Sequence, residues 1–250
     1  MRREIFDELQ ASMDRHQVVV VATVVAGREI GRQMLIWPRG ETFGDLGGPR
    51  LNQRAALFAE QIAVDLAAAR KTFHWQGDEV DIFFDVQAPA AELVVVGAVH
   101  IAVPLVRMAR ILGLRTVVID PRQAFLAGDR FREADRRFEQ WPQEVLPDLP
   151  LHQASALVVL SHDPKIDQPA LEHGLRSPCR YLGALGSRKT HAKRIADLEQ
   201  RGFSAAEIGR IHAPIGLDLG GRGVEEIALA ILAEIVAVAH GRPTSIDRAG

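Results

Sequence analysis

Four segments between residues 97 and 189 carry side chains and glycines suited to gripping an anionic small molecule. They are Gly97-Ala98-Val99-His100, Asp120-Pro121-Arg122, Ser161-His162-Asp163 and Gly183-Ala184-Leu185-Gly186-Ser187-Arg188-Lys189. The last is the most explicit. Gly183 and Gly186 free the backbone, and Ser187 is placed to cap a following helix. Arg188 and Lys189 then stand beside amides that a helix start leaves unbonded. Phosphate is the group such an arrangement suits; the competing reading is a solvated helix start with two surface cations. Asp120 can take a ribose diol or cap its own turn, and Arg122 beside it can take a phosphate. His100 stands at a helix entrance, where an isolated histidine is more often structural than catalytic. A further loop, Pro214 to Gly221, contains Gly216, Asp218 and Gly220 and permits close backbone approach to a ligand.

Other chemistry finds less support. His162, Asp163 and Asp167 match no standard metal spacing, and an Asx turn before Pro164 accounts for them. The single cysteine, Cys179, precedes an apolar strand and reads as an inert core thiol. Glu234 reads as the polar face of an apolar helix, against the alternative of a buried carboxylate near the site. There is no nucleophile–histidine–acid pattern, G-x-S-x-G or P-loop. Neither a catalytic residue nor a metal ligand is therefore assigned.

The elements that must position these groups alternate strand and helix. Leu93–Val96 is a short apolar run suited to a strand covered on both faces. A helix over 101–112 follows, stopped by Gly113, and then a second buried strand over 116–119 ending on Asp120. This unit is the first half of a nucleotide-binding fold. Its turn departs from G-x-G-x-x-G/A, because Gly97, Val99 and Ala102 occupy the three small-residue places. Val99 sets a side chain where backbone would approach a pyrophosphate, which disfavours NAD(P). Further strands are expected over 156–160 and 180–182, and helices over 169–175, 190–201 and 224–240. Alternation of this kind implies a parallel sheet whose strand ends gather the four segments on one rim. The stretch 121–150 is expected to cover an edge or a site, and 243–250 to fray.

Before a linker at 87–91 the pattern is different. An amphipathic helix opens the chain, strands are expected over 17–26 and 33–37, and a long helix over 51–69. A hairpin is expected around Gly77-Asp78, from 72–75 and 80–85. The expected fold is α/β: a small N-terminal α+β domain, residues 1–88, followed by a Rossmann-like parallel-sheet domain, residues 89–250.

Apolar residues make up 47% of the chain and charged residues 25%, with a net charge of −2, so no whole-chain field favours nucleic acid or an anionic membrane. No secretory signal is recognised, and the apolar run at 227–238 is too short to span a bilayer. A cytoplasmic protein without membrane or nucleic-acid partners is expected, and a homo-oligomer.

The stretches LVVVGAVHIAVPLVRMARILGLRTVVIDPR, LVVLSHDPKID and YLGALGSRKTHAKRIADLEQRGF, with IHAPIGLDLGGRGVEEIALAILAEIVAVAHGR, resemble the XdhC/CoxI family of xanthine dehydrogenase accessory proteins. The resemblance covers nearly all of residues 80–242, and ATVV…GREIGRQMLIWPRGETFGDLGG resembles the family's small first domain. It implies an accessory protein that binds molybdenum cofactor, an anionic pterin with a phosphate. It further implies delivery to a molybdenum hydroxylase such as xanthine dehydrogenase, with a cysteine desulfurase as a further partner. The cofactor would be held at Gly97, His100, Asp120, Arg122, His162, Gly183, Gly186, Ser187, Arg188, Gly216, Asp218 and Gly220. Two positions depart from the family pattern. Val99 replaces the second glycine of G-A-G-H, and Gly47-Gly48-Pro49-Arg50 lacks the cysteine that follows the family's first glycine cluster. The alternatives are an NAD(P)-dependent oxidoreductase using the same crevice, and a scaffold whose ligand site has decayed.

Overall fold

A computed structural model describes residues 2–244; positions 245–250 of the expected frayed tail lie outside them. The chain divides into two compact units, one up to Pro89 and one from Ala90 onward.

The first unit runs α1 (Arg3–Asp14), β1 (Val19–Ala26), β2 (Gln33–Ile36), β3 (Thr42–Gly44), α2 (Pro49–Asp65), β4 (Ala69–Trp75) and β5 (Asp78–Gln87). Its five strands form an antiparallel sheet in the order β3-β2-β1-β5-β4. The run VVVATVVA in β1 is apolar at consecutive positions because both sheet faces are covered. Val20, Ala22 and Val24 pack with Leu51, Ala55 and Ala59 of α2, whereas Val19 and Val21 pack with Ile5 of α1. The long helix is shorter than expected. It stops at Asp65, Leu66 turns left-handed at φ 52°, and Ala69 already belongs to β4. Alanine-rich propensity carried the reading past the end; pairing of Ala69–Trp75 with β5 overrides it. The hairpin turn is Gln76-Gly77, both at positive φ (51° and 85°), which matches the twist of the flanking strands.

The second unit runs β6 (Glu92–Val96), α3 (Ala102–Ile111), β7 (Arg115–Ile119), α4 (Gln123–Leu126), β8 (Arg136–Phe138), α5 (Pro142–Val145), β9 (Ser155–Val159), α6 (Pro164–Arg176), β10 (Tyr181–Ala184), α7 (Arg188–Gln200), α8 (Ala205–Ile208), β11 (Ile211–His212) and α9 (Val224–Ala239). Its six strands are paired parallel in the order β11-β10-β9-β6-β7-β8. This is the doubly wound, Rossmann-like arrangement, with the strand order reversing between β6 and β9. One face packs Ile166, Ala170 and Leu171 of α6 and Leu198 of α7. The other packs Leu105, Val106 and Ala109 of α3 with Ala228, Ile231 and Ile235 of α9. Strand β9 begins at Ser155 and helix α6 at Pro164, earlier than their apolar patterns, and β8 and β11 carry no strand pattern in the sequence. Within 121–150 the chain crosses over to β8 at one sheet edge.

Candidate functional site

Parallel pairing sets Val96 level with Ile119 on one side and Val159 on the other, and Val159 level with Ala184. Gly97, Asp120, Ser161 and Gly186 therefore leave the sheet at the same rim. The strand order reverses between the Gly97 and Ser161 turns, and open α/β sheets take ligands in the crevice at that point. The two turns meet backbone against backbone. Gly97 adopts φ 104°, and a Cβ there would lie 2.7 Å from the Ser161 amide nitrogen. Only glycine satisfies both the conformation and the contact.

Asp120 locks this turn to its neighbour. It is fully buried, and its carboxylate accepts the Ala98 amide at 2.7 Å, the Arg122 amide at 2.9 Å, and Nε and Nη2 of Arg122 at 2.8 and 2.7 Å. Burial works against its charge, but these donors outweigh burial and hold the group below its ordinary pKa. Of the two roles open to Asp120, the geometry takes the capping one: four protein donors fill the oxygens that a ribose diol would need. Arg122 is held by the same pairing and covers the Phe125 ring at 3.9 Å. Its side chain remains 32% exposed. The Asp120 hydrogen bond raises its pKa most, and the charges of Asp163 and Asp167 add to it, so the guanidinium lies within electrostatic reach of the β9 end.

A buried relay ties the β9 end to the β10 end. Ser161 Oγ donates to Asp167 Oδ1 at 2.5 Å, Arg194 Nη2 donates to Asp167 Oδ2 at 2.7 Å, and Arg194 Nη1 donates to the Leu185 carbonyl at 2.8 Å. The Arg194 and Asp167 side chains are 9% and 4% exposed. Sequence reasoning passed over Arg194. The signal was present, because Arg194 lies one helical turn before Leu198 on the buried stripe of α7. Asp163 caps α6 by accepting the Lys165 amide at 2.9 Å, as the Asx-turn reading of that segment requires. His162 is exposed and left-handed at φ 65°, in the turn that follows β9. Among the described residues no group of three or more His, Cys, Asp or Glu side chains is arranged to hold a metal ion.

At the β10 end Ser187 caps α7 by accepting the Thr190 amide at 3.2 Å. Arg188 and Lys189 follow in the first turn with their side chains exposed. Gly186 is half-buried over the relay, where a Cβ would sit 3.2 Å from Arg194 Nη1. Gly183 requires a correction. It is buried within β10, and a Cβ would strike Ile215 Cδ1 at 2.5 Å and Tyr181 Cε1 at 2.7 Å. Its missing side chain makes room for core packing, not for a ligand.

For Glu234 the structure overturns the favoured polar-face reading and takes the alternative of a buried carboxylate. It is 5% exposed, so it is not a solvated polar face. It accepts the Gly216 amide at 2.8 Å, pairs with His212 Nδ1 at 3.2 Å and accepts the Tyr181 hydroxyl. The Tyr181 and His212 rings stack at 4.6 Å. Burial opposes the Glu234 charge, yet the His212, Tyr181 and Gly216 bonds lower its pKa; burial and the Glu234 charge raise that of Tyr181. The glycine-rich loop after β11 is thus pinned at Gly216, whereas Asp218 and Gly220 are exposed and close a small turn at 3.2 Å. His100 lines a cleft of about 610 Å³ together with Val103, Arg107, Arg130, Val224 and Glu225 among others. The structure therefore gathers Gly97, Asp120, Arg122, His162, Gly186, Ser187 and Arg188 on one rim. Gly183 belongs to the core, His100 to that cleft, and Gly216, Asp218 and Gly220 to the loop after β11.

Cys179 is 3% exposed. Burial pushes its thiol pKa up, which leaves it a poor nucleophile. No helix among the described residues is long and apolar enough to cross a membrane.

Comparison with known proteins gives a family for both units. The model of the XdhC Rossmann domain matches residues 93–235, and that of the XdhC and CoxI family matches residues 12–73. The chain is 24% identical over 236 residues to the uncharacterized protein YqeB of Escherichia coli (strain K12), covering 84% of this chain and 41% of that protein. It is 30% identical over 149 residues to a probable xanthine dehydrogenase subunit of Bacillus subtilis (strain 168), covering 59% and 43%. It is 37% identical over 84 residues to the molybdenum cofactor insertion chaperone PaoD of Escherichia coli (strain K12), covering 34% and 26%. The chain thus spans less than half the length of each of these curated relatives. A solved structure described as a xanthine dehydrogenase from Bacillus halodurans shares the fold, with a TM-score of 0.54 at 18% identity over 95% of this chain and 96% of that one.

Proposed function

The chain belongs to the XdhC and CoxI family, and on that premise we propose that it binds molybdenum cofactor in the rim crevice for delivery to a molybdenum hydroxylase of the xanthine dehydrogenase type. The observation that carries this reading is the pairing of two features at one rim. The helix α7 begins there with exposed Arg188 and Lys189, and Arg122 and His162 follow the β7 and β9 ends at the same rim. A helix start flanked by cations suits a phosphate. The Arg122 guanidinium, 3.9 Å from the Phe125 ring centre, adds a positive charge suited to an anionic ligand. The positive charge of this donor set supports the reading of an anionic cofactor.

The NAD(P) alternative loses its usual ribose anchor, since Asp120 already serves four protein donors. The family's first-domain cysteine is absent, and buried Cys179 does not replace it as a sulfur carrier. Sulfur for the cofactor would then come from a separate donor of the cysteine desulfurase class.

The test is anaerobic calorimetric titration of isolated molybdenum cofactor into the wild-type chain and into Arg188→Ala. Loss of one charge-assisted hydrogen bond of about 1.5–3 kcal/mol weakens binding roughly ten- to a hundredfold. Unchanged affinity in the folded variant removes α7 from the site.

A further inference from the structure

One cleft of the second unit carries charged groups that the proposed cofactor site leaves unused. It has a volume of about 610 Å³, within the range of small-molecule sites. Its walls come from three parts of the chain. They are His100 just before α3 with Arg107 and Met108 on it, Val224 and Glu225 in the first turn of α9, and Arg130 from the stretch between α4 and β8. Arg130 is the unusual one. Its Nη2 is shielded from solvent, and among the described residues it has no hydrogen-bond partner. The guanidinium carbon lies 5.9 Å from the Phe131 ring centre, a contact that favours the charge without giving its N–H groups an acceptor. A charged nitrogen kept from water without an acceptor is unfavourable, and an oxyanion in the cleft relieves it.

Arg107 lines the same cleft. Its Nε donates to Glu133 Oε1 at 3.0 Å, and its side chain is 54% exposed, so its Nη atoms stay available. Two guanidinium groups in one cleft suit a phosphate-type oxyanion or a carboxylate, whose oxygens accept paired N–H donors. Glu225, exposed in the first turn of α9, brings a carboxylate to the same cleft. It opposes a bare anion and favours a ligand that carries a hydrogen-bond donor as well. Met108 and Val224 supply apolar wall for the body of such a molecule. We propose that this cleft binds a small molecule that joins an oxyanion to an apolar body and a hydrogen-bond donor. Arg107 and Arg130 take the oxyanion, and Glu225 takes the donor. The proposal stands on these groups alone and does not depend on what ligand the rim holds.

The experiment titrates 4-aminobenzylphosphonate and 4-aminobenzoate, which differ in the oxyanion, and inorganic phosphate, which lacks the body. Binding is followed by NMR of the chain labelled at its methionine methyl groups. There are four methionines, and the Met108 signal is the one that Met108→Leu removes. A probe that carries the body moves the Met108 signal saturably, and inorganic phosphate binds more weakly. The tighter of the two larger probes names the oxyanion. Met34, buried in the first unit, stays still. Arg130→Leu weakens binding roughly tenfold or more, the loss of one charge-assisted hydrogen bond. If that variant fails to fold, Val224→Trp decides: Val224 is 36% exposed, and an indole there fills the cleft and abolishes the response. No saturable movement of Met108 with either larger probe overturns the proposal. So does a response undiminished in Arg130→Leu or Val224→Trp, or one lost in Arg188→Ala and kept in Arg130→Leu, which assigns the probe to the rim.

Discussion

Replacing Arg194 with Met tests whether the relay from Ser161 through Asp167 to Leu185 holds the rim together. Methionine is unbranched and nearly fills the space, so little cavity is created. What is lost is charge pairing: the Asp167 carboxylate, 4% exposed, retains Ser161 as its only side-chain donor among the described residues. Removing one partner of a buried pair costs about 3–5 kcal/mol, because the other charge stays desolvated. A folding unit of this size loses about 2–4 °C per kcal/mol, so Tm should fall by roughly 6–20 °C. Urea midpoints give the free energy directly. The double variant Asp167→Asn/Arg194→Met removes the stranded charge and should recover a substantial part of the loss, and the cycle of four proteins isolates the coupling. A loss below about 1 kcal/mol, the range of exposed pairs, would refute the claim that this pair is buried and structural.

Other outcomes follow from the same geometry. Gly97→Ala places a Cβ 2.7 Å from the Ser161 amide at φ 104°; it should destabilise the second unit by about 2 kcal/mol or more, measured by urea unfolding. Glu234→Gln leaves one of the Tyr181, His212 and Gly216 contacts without an acceptor and should cost about 1–3 kcal/mol, with faster hydrogen exchange at the Gly216 amide. Tyr181 is the only tyrosine, and its raised pKa keeps it protonated in the folded state. Phenolate absorbance should therefore emerge only with unfolding, and stability should fall above about pH 10, where the unfolded tyrosine ionises. A phenolate that titrates normally in the folded protein contradicts this. Asp120 and Glu234 have lowered folded pKa values, so their contribution is complete above about pH 4 and is lost as the pH falls through the folded values. Urea midpoints that stay flat under acid would contradict that sign.

Much of the fold is legible because its central strands are unambiguous. Leu93–Val96 and Ala156–Val159 are apolar at consecutive positions, which suits strands covered on both faces. Edges are less legible. Strand β8 reads Arg-Arg-Phe and β11 has two residues, so neither carries a period; only pairing with β7 and β10 makes them strands. The overrun of α2 has the same cause, since local propensity does not know where β5 will pair. At the site, strand-end glycines and the Ser187 cap are local signals and could be read. The Asp167–Arg194 pair and the Glu234 hub could not be weighed from spacing alone. An acid in an apolar helix reads the same whether it meets solvent or a tyrosine folded back from 53 positions away. Asp120 shows the limit most clearly: its type and position suit a ribose, and its surroundings consume it.

The most direct test of the central claim is a competition on the wild-type chain. Under anaerobic conditions, isolated molybdenum cofactor is titrated into the protein, followed by its own absorbance, with and without excess NAD(P)H. Saturable binding to one site per chain that NAD(P)H does not displace is the result expected of a cofactor-binding accessory protein. NAD(P)H binding that displaces the pterin, or a pterin that does not bind at all, would contradict it.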